Sequence, residues 1–174
     1  NCSYALIPTV TSISRQSLLS GKYPRDLDNP FTLTNEEKEF YAAAERIGYD
    51  KGHTYFGRGY EANLSLLTRC ATIILNDIDD MVHGQTMGRQ GMYQNVDIFA
   101  KSGKLQHLID RIVKDGYTVY LTSDHGNTNC HGTGASGRSG VETATKSKRM
   151  LVLKDFAEVS GAVAERTFEY PGYY

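Results

Sequence analysis

Leu121-Thr122-Ser123-Asp124-His125-Gly126 closes a β-rich apolar run that begins at Tyr117. An adjacent Asp and His stand where a strand would end, and Gly126 turns the chain. In open α/β sheets, ligands gather outside the carboxyl ends of strands. Two metal-competent side chains placed there read as half of a metal site. The competing reading is a pair of turn-forming residues with no chemistry. A partner set elsewhere in the chain decides between the two.

A second apolar run, residues 71–76, leads into Asp77-Ile78-Asp79-Asp80-Met81-Val82-His83-Gly84. If a helical turn begins after Asp77, Asp79 and His83 share one helix face. One carboxylate and one imidazole can then reach a common cation, at ligand distances of roughly 2.0–2.2 Å. An acidic helix cap followed by a surface histidine is the alternative.

The third element lies near the start. Residues 3–7 read as a short strand, followed by Pro8-Thr9-Val10-Thr11-Ser12-Ile13-Ser14-Arg15. Leu18, Leu19, Gly21 and Pro24 then suggest a short helix that stops at a Gly and a Pro. A hydroxyl at such a helix N-terminus sits where backbone N–H groups and the dipole favour an anion. A plain Ser or Thr cap explains the same pattern without chemistry. Arg15, one turn on, can fork onto a phosphate or pair with a surface acid.

In this order, the three pieces and Leu19-Ser20-Gly21-Lys22-Tyr23-Pro24 resemble a PglZ domain of the alkaline phosphatase superfamily, over residues 3–156. The resemblance implies an α/β fold with a sheet of mostly parallel strands flanked by helices, its first strand partly missing. It implies a Thr nucleophile at Thr11 and an arginine near it at Arg15. It also implies two divalent metal ions, one held by Asp79 and His83 and the other by Asp124 and His125. Zn²⁺ is the first expectation, with Mn²⁺ or Mg²⁺ as alternatives. A neutral Thr hydroxyl is a poor nucleophile, and no side-chain base stands beside Thr11 in sequence, so a cation is expected to activate it. A second cation would steady the leaving oxygen. The implied intermediate is a phosphothreonine at Thr11, hydrolysed later by water.

Relatives carry a further metal-binding Asp upstream of the nucleophile and often another His well downstream. No Asp precedes Thr11 in this chain, and only His131 follows His125. His131 reads as a loop residue or a substitute ligand, and Cys130 as a small buried residue or a soft ligand. The sequence is accordingly expected to be an internal piece of a longer protein, truncated at both ends.

The leading functional expectation is a metal-dependent phosphoester hydrolase, a phosphatase, phosphodiesterase or nuclease-like enzyme acting on nucleotides or nucleic acid, in a phage-defence complex. A non-catalytic assembly module of a defence or signalling complex is the reading from another class. A sulfatase is disfavoured, because a Thr at the nucleophile position cannot be converted to the required aldehyde.

Length and composition set outer bounds. The 174 residues suit one core and a single domain, residues 1–174. A formal charge of −1 supplies no global basic field for nucleic acid. No apolar run approaches a membrane span, no signal-peptide pattern opens the chain, and the three cysteines lack Cys-x-x-Cys spacing. A reduced cytoplasm is the expected location.

Between these landmarks, Thr34-Asn35-Glu36-Glu37 reads as a capping box opening a helix to Ile47. Residues 50–60 read as a loop or an excursion beside the site, and residues 64–69 as a short helix. Leu105, Leu108, Ile109, Ile112 and Val113 repeat at helical spacing and stop at Gly116. That helix would bridge strands at 71–76 and 117–122 in a right-handed βαβ unit. Residues 150–153 read as a further strand. The polar, glycine-rich stretch 127–148, with Arg138, Lys146 and Lys148, reads as a lid or a plain surface loop.

Overall fold

The computed structural model describes residues 4–6 and 9–127. Within them lie five α-helices and a two-stranded parallel sheet, an α/β fold. The chain divides into two compact units, residues 1–39 with 124–174 and residues 40–123.

The first unit is built on α1, Thr11–Ser20. Gly21 ends it in the left-handed region (φ 70°), its N–H returning to the Ser17 carbonyl, as the Gly and Pro pattern predicts. The face α1 buries is polar: Ser12, Ser14, Gln16, Ser17 and Ser20 are buried alongside Ile13. Buried polar groups ordinarily find partners; among the described residues Ser14 Oγ and Ser17 Oγ have no hydrogen bond, whereas Gln16 acts as a clamp through its amide nitrogen. Its Nε2 lies 2.8 Å from the Thr32 carbonyl, 3.0 Å from that of Ser12 and 3.1 Å from that of Asn29. The loop after α1 is thereby tied to the helix, with Leu27 and Pro24 buried beside it.

Glu36 begins α2, Glu36–Arg46, whose first turn holds Glu36, Glu37 and Glu39 near the positive end of the helix dipole. The Thr34 hydroxyl, expected to cap it, is shared with the Thr32 hydroxyl at 3.0 Å. Glu36 and Glu39 are buried, and Glu39 pairs with Lys22 at 2.8 Å.

The second unit carries the sheet. Strand β1, Thr54–Arg58, runs parallel to β2, Cys70–Ile74, in the register Thr54 to Cys70 through Arg58 to Ile74. Residues 50–60 are therefore not simply a loop. Thr54, Tyr55 and Phe56 are good strand formers, and the glycines around them conceal so short a run. Residues 64–69 form a turn and not the expected helix. The crossover is fixed from outside: Arg111 Nη2 donates to the Tyr60 and Ala62 carbonyls at 2.8 and 3.0 Å, and Tyr117 Oη donates to the Thr68 carbonyl at 2.9 Å.

Three helices follow: α3, Asp77–His83; α4, Gly88–Lys101; and α5, Lys104–Lys114. Gly103, at φ 71°, makes the turn between the last two. The period read over residues 105–113 is that of α5, with Leu108 buried. The core of this unit gathers Phe40, Ala44, Ala62, Ile74 and Leu108, with the Phe40 and Phe56 rings 5.9 Å apart.

Residues 117–121 belong to no helix and pair with no strand among the described residues, and Tyr120 and Leu121 are exposed. Alternating β-branched and aromatic residues report an extended backbone; a ladder also needs a neighbouring edge. The βαβ pairing expected between 71–76 and 117–122 gives way to the β1–β2 pair. Residues 4–6 of the expected first strand are likewise not in a ladder. Cys2, Cys130, His131, the stretch 128–148 and the strand expected at 150–153 lie outside the described residues. Cys70 is half-buried, and burial pushes its thiol up, which keeps it a poor nucleophile at neutral pH. Among the described residues, no helix is long and apolar enough to cross a membrane.

Candidate active site

Thr11 is the first residue of α1, preceded by Val10, which has no side-chain oxygen to cap the helix. No acidic residue occupies the first turn, so nothing in it offsets the positive end of the helix dipole. Arg15 lies one turn on, on the same face as Thr11.

A chain separation of 114 residues closes here. Thr11 Oγ1 lies 3.1 Å from His125 Nε2. The other ring nitrogen, Nδ1, is 2.9 Å from the Gly126 carbonyl, which can only accept. In the neutral imidazole this places the proton on Nδ1 and turns the Nε2 lone pair toward the Thr11 hydroxyl. Asp124 is held locally, its Oδ1 accepting the His125 backbone N–H at 3.1 Å. Its Oδ2 is buried, accepts no hydrogen bond among the described residues, and lies 3.8 Å from both His125 Nε2 and Arg15 Nε.

Arg15 connects this group to Glu36, which the sequence offers only as part of a capping box. Its Nη1 lies 3.5 Å from Glu36 Oε2, and Glu36 is only 1 % exposed. In sequence Glu36 is one of two adjacent acids at a helix start. A clue lies in the pairing itself, since only one of two neighbours on a helix can face the interior; Glu37 is exposed.

Asp79 and His83 belong to the second unit. They share a face of α3, as their spacing predicts, with Asp79 Oδ1 3.3 Å from His83 Nε2. Their side chains are 39 % and 56 % exposed, against 20 % for both Asp124 and His125. Asp77, at the start of α3, accepts a 2.8 Å hydrogen bond from Tyr60 Oη. Burial, and next that bond, push the Tyr60 phenol up to about 12.

A model of the PglZ alkaline phosphatase-like domain of BREX systems matches residues 1–172. The chain belongs to the PglZ family. No curated protein and no solved structure matches it. A PglZ domain has a phosphoesterase-type fold, and its superfamily generally uses divalent metals. The residues present fit such ions in kind. Thr11 Oγ1, the His125 Nε2 lone pair and the buried Asp124 Oδ2 are oxygen and nitrogen donors of the sort that Zn²⁺ and Mn²⁺ take. Asp79 and His83 offer the same donor types. Among the described residues, no three His, Cys, Asp or Glu side chains gather on their own.

Proposed function

We propose that this PglZ domain is a metal-dependent phosphoester hydrolase, working on nucleotides or nucleic acid within a phage-defence complex. The observation that carries the reading is the 3.1 Å approach of Thr11 Oγ1 to His125 Nε2 at an uncapped helix N-terminus. One family match spanning residues 1–172 also supports reading the two compact units as parts of one domain.

Thr11 is the nucleophile. Its oxygen forms a bond to phosphorus while the bond from phosphorus to the leaving oxygen breaks, and that oxygen takes a proton from water. With its one available lone pair given to a divalent ion, His125 Nε2 would keep the Thr11 oxygen beside that ion, and the Thr11 proton passes to water. The first turn of α1 and Arg15 oppose the negative charge of the phosphoryl oxygens. Water then attacks phosphorus, the bond to Thr11 breaks, and the Thr11 oxygen regains its proton. Asp124 with His125, and Asp79 with His83, would each hold one divalent ion, Zn²⁺ first among the choices. When bound, such ions supply the charge that favours an alkoxide and steadies the leaving oxygen.

The test is hydrolysis of an aryl phosphate monoester and diester by the protein at its natural length, with and without Zn²⁺ or Mn²⁺. Turnover is expected only with metal, and Thr11→Ala and Asp124→Asn each lower it by several orders of magnitude. Undiminished rates in both variants remove the two residues from the mechanism. A folded wild-type protein that binds no metal and hydrolyses neither ester is the assembly module instead.

A further inference from the structure

We infer that Glu36 is a positioning residue of this site, acting through Arg15; the inference rests on the hydrolase reading above. Glu36 is 1 % exposed and is an acid, a type that is seldom buried without a charged partner. Its partner is Arg15, at 3.5 Å, whose own side chain is 11 % exposed. On its other edge the guanidinium faces Asp124 Oδ2 at 3.8 Å. One cation thus stands between two carboxylates drawn from separate parts of the chain, within the unit that holds Thr11.

The two carboxylates are not equivalent. Asp124 adjoins His125 and Thr11 and has a buried oxygen that accepts no hydrogen bond among the described residues. Glu36 lies at the start of α2, where helix geometry fixes its backbone. A long arginine side chain loses rotamer entropy on being held in one place, which a second carboxylate offsets. Anchored by Glu36, the guanidinium stays beside Asp124. With Glu36 neutral, the balance shifts toward Asp124, and that charge pair closes over the oxygen the reaction needs.

Arginine-selective ¹⁵N spectra of the natural-length protein test this without turnover. The Arg15 Nε–H signal, assigned by its loss in Arg15→Lys, is expected to be sharp and slow to exchange in the wild type. Glu36→Gln should broaden it by exchange with water, and Glu36→Asp should restore part of its protection. In aryl phosphate turnover, Glu36→Gln is expected to lower kcat about 10- to 100-fold, the range for residues that orient a ligand from behind. KM should change less, and Glu36→Gln should add no further loss in an Arg15→Ala background. Should Glu36→Gln unfold the protein, Glu36→Asp decides: partial protection supports the anchor, and wild-type sharpness with wild-type kcat overturns it. A signal as sharp in Glu36→Gln as in the wild type also overturns it, whatever turnover does. Broadening in Glu36→Gln from a wild type that hydrolyses no ester keeps the anchor and sinks the hydrolase reading alone.

Discussion

Two acid–histidine pairs of one chemistry are built in opposite ways. Asp79 and His83 are brought together by a single helix, four residues apart, and stay largely open to water. Asp124 and His125 are neighbours in sequence, yet what holds them is remote: Thr11 on the histidine, and Arg15, backed by Glu36, on the aspartate. A local pair is specified by spacing alone. A remote one depends on the packing of α1 and α2, so its integrity reports on the fold of the whole unit. The contrast predicts different consequences for equivalent substitutions.

The largest separates the pairs by what they do without metal. Asp124→Asn should lower both turnover and Zn²⁺ affinity, and also disturb the Arg15 and His125 contacts in metal-free protein. Asp79→Asn should lower affinity about 10- to 100-fold or more while leaving those contacts unchanged. Metal titration by calorimetry, beside arginine and histidine NMR spectra, checks both. Equal disturbance of the Arg15 signal by the two substitutions would erase the distinction.

Next is the support beneath Thr11. Gln16→Ala removes the side-chain donor from the part-buried Asn29 and Thr32 carbonyls, a loss of about 1 kcal/mol in stability by urea unfolding. Loss of less than a few tenths would show that the loop after α1 is held some other way.

In the second unit, Tyr60 supplies a pH-dependent test. Its folded pKa is about 12 against an ordinary 10.0, raised by burial and by the bond to Asp77. The neutral phenol is therefore favoured by folding. Its contribution is complete below pH 10 and disappears as pH rises through 12. Tyr60→Phe should lower stability by about 1 kcal/mol at pH 7 and show a flatter alkaline decline between pH 10 and 12. An unchanged slope would detach Tyr60 from α3.

The smallest effect belongs to the open pair. His83→Ala should shift metal-free stability by no more than about 0.5 kcal/mol, as for most exposed substitutions. A larger loss would mean that this pair too is structural.

How much of this was readable beforehand follows the same division. The Asp79 and His83 face, the Gly21 stop of α1 and the period of α5 are local consequences of helix geometry, and the sequence displays them. The meeting of Thr11 with His125 is not local; the order of motifs along a PglZ-like chain implies it, where spacing cannot. Strand β1 escaped notice because three strand-forming residues lie among glycines, and residues 117–121 misled because alternation signals extension without naming a partner. Helix α4 carries no comparably strong period. Glu36 is hidden by a role it also plays, an acid in a helix first turn, and only its burial against Arg15 separates it from Glu37.

The central claim is that Thr11 receives the phosphoryl group in the site it shares with His125 and Asp124. Acid-quenching the Zn²⁺-loaded protein during turnover of an aryl phosphate, followed by peptide mass spectrometry, tests it most directly. Phosphate on Thr11, absent from Thr11→Ala and from protein stripped of metal, is the predicted result. Sustained turnover with an unmodified Thr11, or with phosphate trapped on another side chain, would contradict it.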